Sequence, residues 1–187
     1  MEIFLHVCIG IGLAAACGFR VFVPLLVASI AALSGHLHLS QSFQWIGTYP
    51  ALVAFSVATV LEIGGYYIPW LDHVLDTMAT PAAIIAGILI SASMFTDMSP
   101  VLRWTLAVIA GGGAAGLVQG GTVVTRALST STSGGLANPV VSTAELGLSL
   151  LLSVLAIVLP VLAVALFIGF SIWIGRKLWK RRGLKPA

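Results

Sequence analysis

The chain has 187 residues, of which 59% are hydrophobic and 8% charged, with a mean hydropathy of +1.08. A soluble domain carries about 25% charged residues, so the composition excludes a soluble globule and predicts an all-α integral membrane protein. The net charge of +3 is small and unevenly spread.

The first apolar stretch covers 3–34. Its opening, MEIFLHVCIGIGLAAACGFR, lacks the basic n-region of a signal peptide, because its first charge is Glu2, and apolar segments continue long after it. The run LAAAC faintly matches a lipoprotein cleavage site, but Ala14 stands where a branched apolar residue is expected. Cys8 and Cys17, the only cysteines, lie within this apolar run, poorly spaced for a disulfide on one helix, and read as small core residues. Gly18, Arg20 and Pro24 interrupt the stretch, which predicts a break or re-entrant turn there. Next, GHLHLSQSFQWIG holds His36 and His38 in an amphipathic interfacial segment. Those two share a face only if that segment is extended.

Further apolar stretches cover 51–70, 80–96, 100–125 and 142–175. A spanning helix needs ~20 residues, so five or six membrane segments are expected, some broken. At ~1.5 Å per residue the last stretch would reach ~51 Å against a hydrocarbon core of ~30 Å, and Pro160 marks its break. Trp45, Tyr49, Tyr66, Tyr67, Trp70, Trp104, Trp173 and Trp179 mark membrane interfaces. Arg103 beside Trp104 reads as an interface anchor, and Asp97 as a loop residue. Six of the nine Lys/Arg residues (Arg176, Lys177, Lys180, Arg181, Arg182 and Lys185) form the tail. A basic cluster directly after an apolar span predicts a cytoplasmic C-terminus. Topology alone accounts for the cluster, and no nucleic-acid partner is expected.

The two halves echo each other. Gly10, Ala14 and Gly18 form a small-residue stripe followed by Arg20; Gly112, Gly116 and Gly120 form another, followed by Arg126. Glu62-Ile-Gly64 is matched by Glu145-Leu-Gly147, and prolines at 81 and 160 follow as helix breaks. The arginine-to-glutamate spacing is 42 residues in the first half and 19 in the second, which makes the 35–50 loop an insertion. The expected organisation is a first membrane repeat over 1–97, a second over 98–176 and a basic tail over 177–187. Two degenerate halves with odd numbers of crossings would be inverted repeats, a layout typical of transporters. The stripes would pack helices closely, either between the halves or across a homodimer.

A charged group at the centre of a spanning helix costs roughly 2.5–3.5 kcal/mol on insertion scales, so buried charges are functional candidates. Arg20, Glu62 and Glu145 fall inside apolar runs or at their broken ends, and Arg126 borders the polar run RALSTSTSGGLANPVVSTAELG. One reading makes that run a cavity-lining re-entrant turn. Ser129, Thr130, Ser133, Gly134, Gly135 and Asn138 would then bind an anion together with Arg20 and Arg126, with Glu62 and Glu145 as proton-titrating partners. The other makes it an exposed loop, with Ser142 as N-cap and Glu145 completing a capping box. Glu62 reads equally as one half of a structural ion pair with Arg20 or Arg126. Asp72, His73 and Asp76 share a helix face and form a weak metal motif; an interfacial turn is the plainer reading. No P-loop, HExxH, Gly-x-Ser-x-Gly, CxxC or haem motif occurs, and neither a cofactor nor an enzymatic activity is expected.

The blocks GIGLAAACGFRVFVPLL (10–26), LEIGGYYIPWLDHVLDTMATPAA (61–83) and RALSTSTSGGLANPVVSTAE (126–145) resemble the bacterial membrane family catalogued as domain of unknown function 4126. The resemblance covers nearly the whole chain. It implies a small integral protein of the bacterial cytoplasmic membrane and implies no activity. In layout alone the chain is similar to the DedA-type carrier-lipid translocases, which pair embedded acidic residues with arginines; no residue roles carry over. The reading reached is a transport protein for an anionic substrate, phosphate- or carboxylate-bearing, with a phosphorylated carrier lipid and a small soluble anion as candidates. A non-transporting scaffold with structural ion pairs stands second, and a metal-dependent membrane enzyme third.

Overall fold

The computed structural model describes residues 2–96 and 98–182, with side chains over the same range except 69–74, 76, 174–175 and 177–182. Eight α-helices occupy the described residues: α1 (Glu2–Cys17), α2 (Phe22–Leu33), α3 (Tyr49–Gly65), α4 (Pro69–Met94), α5 (Pro100–Leu106), α6 (Gly113–Ser133), α7 (Asn138–Val158) and α8 (Pro160–Arg182). A 3₁₀ segment, Gln41–Gly47, precedes α3, and a π-helical segment, Ala107–Gly112, fuses α5 to α6.

Proline sets many of the helix starts. Pro50, Pro69, Pro100, Pro139 and Pro160 lie in the first turns of α3, α4, α5, α7 and α8, where the absent N–H would have lacked a partner and the fixed φ already suits a helix. Thr48 and Ser99 complete two of these starts by accepting from Ala51 N and Leu102 N, each at 3.4 Å. Pro160 breaks the 142–175 stretch as expected. Pro81 does not: α4 runs through it without interruption. One forfeited backbone hydrogen bond is tolerated there, where α4 is packed against α1, α6 and the π segment.

α1 is the central element, packed against α2, α4, α6, α7 and α8. Residues Leu13 to Cys17 are fully buried, because small side chains let five neighbours approach one helix. A Cβ added at Gly10 would meet Ser91 of α4 and Phe95 just beyond it, and one at Gly18 would lie 2.6 Å from the Ala115 carbonyl oxygen of α6. The first small-residue stripe thus packs α1 within the chain. On the second stripe the tightest contact falls one residue away from the expected register: Gly111 and Ala115 face Gly87, while Gly120 faces open space.

These contacts give directions. Gly10 lies at Ser91 and Gly87 at Ala14, so α4 runs antiparallel to α1; Gly111 at Gly87 and Gly18 at Val118 make α6 parallel to α1. α7 is antiparallel again, with Ser149 bonded to Ala16 O and Ala156 beside Gly12. Three helical spans are long and apolar enough to cross a membrane: Thr77–Met94, Pro100–Ser133 and Asn138–Val158. The 3₁₀ segment with α3, bent by 63°, makes a fourth if counted as one span. α1, α2 and the Pro160–Trp173 part of α8 are shorter apolar helices. The architecture is that of a multi-pass membrane protein.

A buried charge cluster at the end of α1

α1 stops at Cys17, and the next three amides fold back onto its last carbonyls: Gly18 N to Ala15 O, and Phe19 N and Arg20 N to Ala16 O. The chain then reverses into α2. Glu62, projecting from α3, holds that reversal. Its Oε1 accepts from Val21 N at 2.8 Å and its Oε2 from Phe22 N at 3.1 Å. A carboxylate there satisfies orphan amides and complements the positive end of α2. Both its oxygens are therefore engaged in defining the break.

Arg20, 2% exposed, points from this break into the protein. Its Nη2 donates to Ser142 O at 2.8 Å and also to the Ser142 hydroxyl, and lies 3.7 Å from Glu145 Oε2. Its Nε and Nη1 are buried and have no hydrogen-bond partner. Arg126 reaches Glu145 from α6 through Nε, at 3.1 and 3.2 Å, and through Nη2 at 2.5 Å. Both guanidiniums also lie over the ring of Tyr66, with Cζ 3.9 Å (Arg20) and 4.3 Å (Arg126) from its centroid, which adds cation–π attraction away from water. Glu62 lies within electrostatic range of Arg20 and Glu145. Two arginines and two glutamates thus compensate one another.

Ser142 of the hydroxyl-rich run joins this cluster, but the hydroxyls of residues 129–133 do not. α6 continues to Ser133, and the turn comes after it, at Gly134 and Gly135 with φ of 63° and 90°. Ser129 donates to Asn138 Oδ1 at 2.8 Å, Asn138 Nδ2 to Thr130 Oγ1 at 3.3 Å, and Ser133 accepts from Ala137 N at 3.1 Å. Ser131 and Thr132 return their hydroxyls to Leu128 O. The segment is a helical hairpin tip with Leu136 87% exposed, not a re-entrant turn, because its hydroxyls satisfy the ends of its own two helices. α7 starts at Asn138, a full turn before Ser142, so Ser142 and Glu145 are interior helix positions and not a capping box.

Two members of the site stand apart from their sequence reading: Tyr66, which reads as part of an aromatic belt, lies under both guanidiniums, and Ser142, which reads as a cap, accepts from Arg20. The buried positions of α7 (138, 142, 145, 149, 153 and 156) recur at threes and fours, the period of one helix face, and that polar stripe in an apolar helix was the available signal. The side chains of Asp72, His73 and Asp76 lie outside the described residues.

Beside the cluster, an apolar groove of about 560 Å³ opens between α6, α7 and α8, lined by Phe19, Val118, Thr122, Leu148 and Phe170, with Glu145 in its wall. The family model described as Domain of unknown function (DUF4126) matches residues 7–180. The chain belongs to that family. All four charges of the cluster and all of the groove fall inside the DUF4126 region. No curated protein and no solved structure matches the chain.

Proposed function

We propose that the chain is a translocase of the bacterial cytoplasmic membrane for an anionic, phosphate- or carboxylate-bearing substrate, a phosphorylated carrier lipid being one candidate and a small soluble anion another. The observation that carries this reading is Arg20: a buried guanidinium with two unpartnered N–H groups, Nε and Nη1, in a cluster bordered by an apolar groove. An unsatisfied buried donor costs about 1–3 kcal/mol, and an oxyanion headgroup would relieve that cost while its chain filled the groove. The planar fork of arginine suits phosphate or carboxylate. The two halves are read as degenerate repeats, each supplying one arginine and one glutamate; the matched stripes lie on parallel helices, α1 and α6, which corrects the expectation that the repeats are inverted. The basic tail supports a cytoplasmic C-terminus. Because α8 returns from Ala163, beside Gly12, to Phe170, beside Phe19 and Glu145, the cluster lies toward that same side.

The test is uptake of farnesyl phosphate into proteoliposomes, with native mass spectrometry of the protein released from its own membrane. Arg20→Gln should lower uptake at least tenfold and remove a co-purifying phosphate-bearing species, while Glu145 remains paired to Arg126. Unchanged uptake in that variant overturns the reading. Proton coupling through Glu62 or Glu145 further requires that an imposed pH gradient drive uptake.

A second reading, a non-transporting scaffold, is favoured by the bidentate closure of Arg126 on Glu145. A purely structural pair tolerates exchange. The double variant Arg126→Glu with Glu145→Arg should then recover stability, and no variant of the cluster should alter any bound species.

A further inference from the structure

α1 has a second polar site at its other end. His6, on the second turn of α1, is held by Thr96, with Nδ1 2.8 Å from Thr96 Oγ1. With the hydroxyl donating to Nδ1, the ring keeps its proton on Nε2 as a donor. Ser40 is buried, and its amide donates to Ser93 O at 2.8 Å, which fixes the 38–41 loop against the end of α4. Arg103 approaches from α5, whose position is set by Trp104 lying against Phe43 of the 3₁₀ segment, ring centroids 6.1 Å apart. His6, Ser40, Thr96 and Arg103, with His38, Gln41 and Met98, line a pocket of about 490 Å³. The Nε of Arg103 is buried there without a hydrogen-bond partner.

The chemistry of the lining is one-sided. Two imidazoles and a guanidinium converge from three separate elements, with a hydroxyl and an amide between them, and no carboxylate appears among the described lining residues. Asp97, between Thr96 and Met98, lies outside the described residues. Among the described lining residues a cation finds no counter-charge, and a neutral solute has no need of a guanidinium. An oxyanion meets both conditions, since charge-assisted N–H donors and a planar fork are the arrangement that recognises phosphate. The volume exceeds what a bare phosphate needs and leaves room for an esterified group.

We propose that this pocket is a second oxyanion site, binding a phosphate group through Arg103, His6 and His38 at the end of α1 opposite the Arg20 cluster. The phosphate is either free or the headgroup of a lipid. The site stands on its own residues and does not depend on the translocase reading.

The test uses the full chain in phosphatidylcholine nanodiscs, titrated with inorganic phosphate by calorimetry, and in parallel nanodiscs doped with phosphatidic acid, with bound lipid counted by native mass spectrometry. Arg103→Gln should weaken phosphate binding at least tenfold, the expected loss of one charge-assisted contact. His38→Gln, on an exposed residue, should weaken it several-fold without a change in melting temperature. Thr132→Ala, on an exposed residue of the hairpin tip, should leave this binding unchanged. Binding of inorganic phosphate with that pattern supports a free-anion site; retention of phosphatidic acid alone, with the same pattern, supports a headgroup site. Absence of both, or binding lost in Arg20→Gln but kept in Arg103→Gln, overturns the proposal.

Discussion

The two ends of α1 handle charge in opposite ways. Around Arg20 two arginines over one tyrosine ring share Glu145, with Glu62 on the neighbouring amides, and all four charges are buried. Around His6 and Arg103 cationic and imidazole groups face a cavity with no carboxylate among the described lining residues. The first region is largely compensated within itself, with Arg20 Nε and Nη1 left over, so removing Glu145 or Arg126 should act mainly on folding and removing Arg20 mainly on what is bound. The second is open and uncompensated, so disturbing it should act mainly on what it binds. A buried ion pair owes little to its net attraction, because desolvation offsets the Coulomb gain, but removing one partner strands a charge in a medium that cannot solvate it.

The largest effect expected from that contrast is at Glu145. Glu145→Gln removes the negative charge that faces Arg126 and Arg20 and one of the two oxygens that accept from Arg126, and should cost about 3–5 kcal/mol, read as a collapse in folded yield and thermal stability in detergent. Near-normal stability in this variant would erase the distinction between the two ends. Gly18→Ala should follow, at about 1–3 kcal/mol of overpacking, because the added Cβ meets the Ala115 backbone; thermal unfolding checks it. Gly134→Ala tests the hairpin tip away from both sites. Its left-handed φ of 63° should cost about 1–2 kcal/mol, with binding at either end untouched. The smallest shift belongs to Arg103→Gln, within about 0.5 kcal/mol, since its Nε has no partner to lose. A large destabilisation there would make Arg103 structural and place it with the Arg20 cluster.

The membrane class and the all-helical fold were legible because apolar runs of spanning length leave few alternatives. The breaks after Cys17 and before Pro160 were legible for a similar reason: a run too long for the bilayer must turn where glycine, charge or proline permits. Pro81 shows the limit, since a proline only permits a break and packing decides whether one forms. The four buried charges could be named in advance, because each stood out against an apolar background. Their pairing could not, and the hydroxyl run beside Arg126 was drawn into the site by sequence proximity alone. α6 carries those hydroxyls past the cluster to the tip, where their own helix ends use them.

Composition and spacing therefore determined that this chain crosses a membrane, where it turns, and which charges it buries. Tertiary structure decided that Glu62 caps the start of α2, that Glu145 serves Arg126 and approaches Arg20, that Tyr66 lies under both guanidiniums, and that His6 meets Arg103 across a pocket. The reason is physical. Hydropathy and helix period are local properties that each residue carries with it. The partner of a buried charge is fixed by which helix packs alongside, and that depends on small residues such as Gly10, Gly18, Gly87 and Gly111, whose closest neighbours lie on other helices.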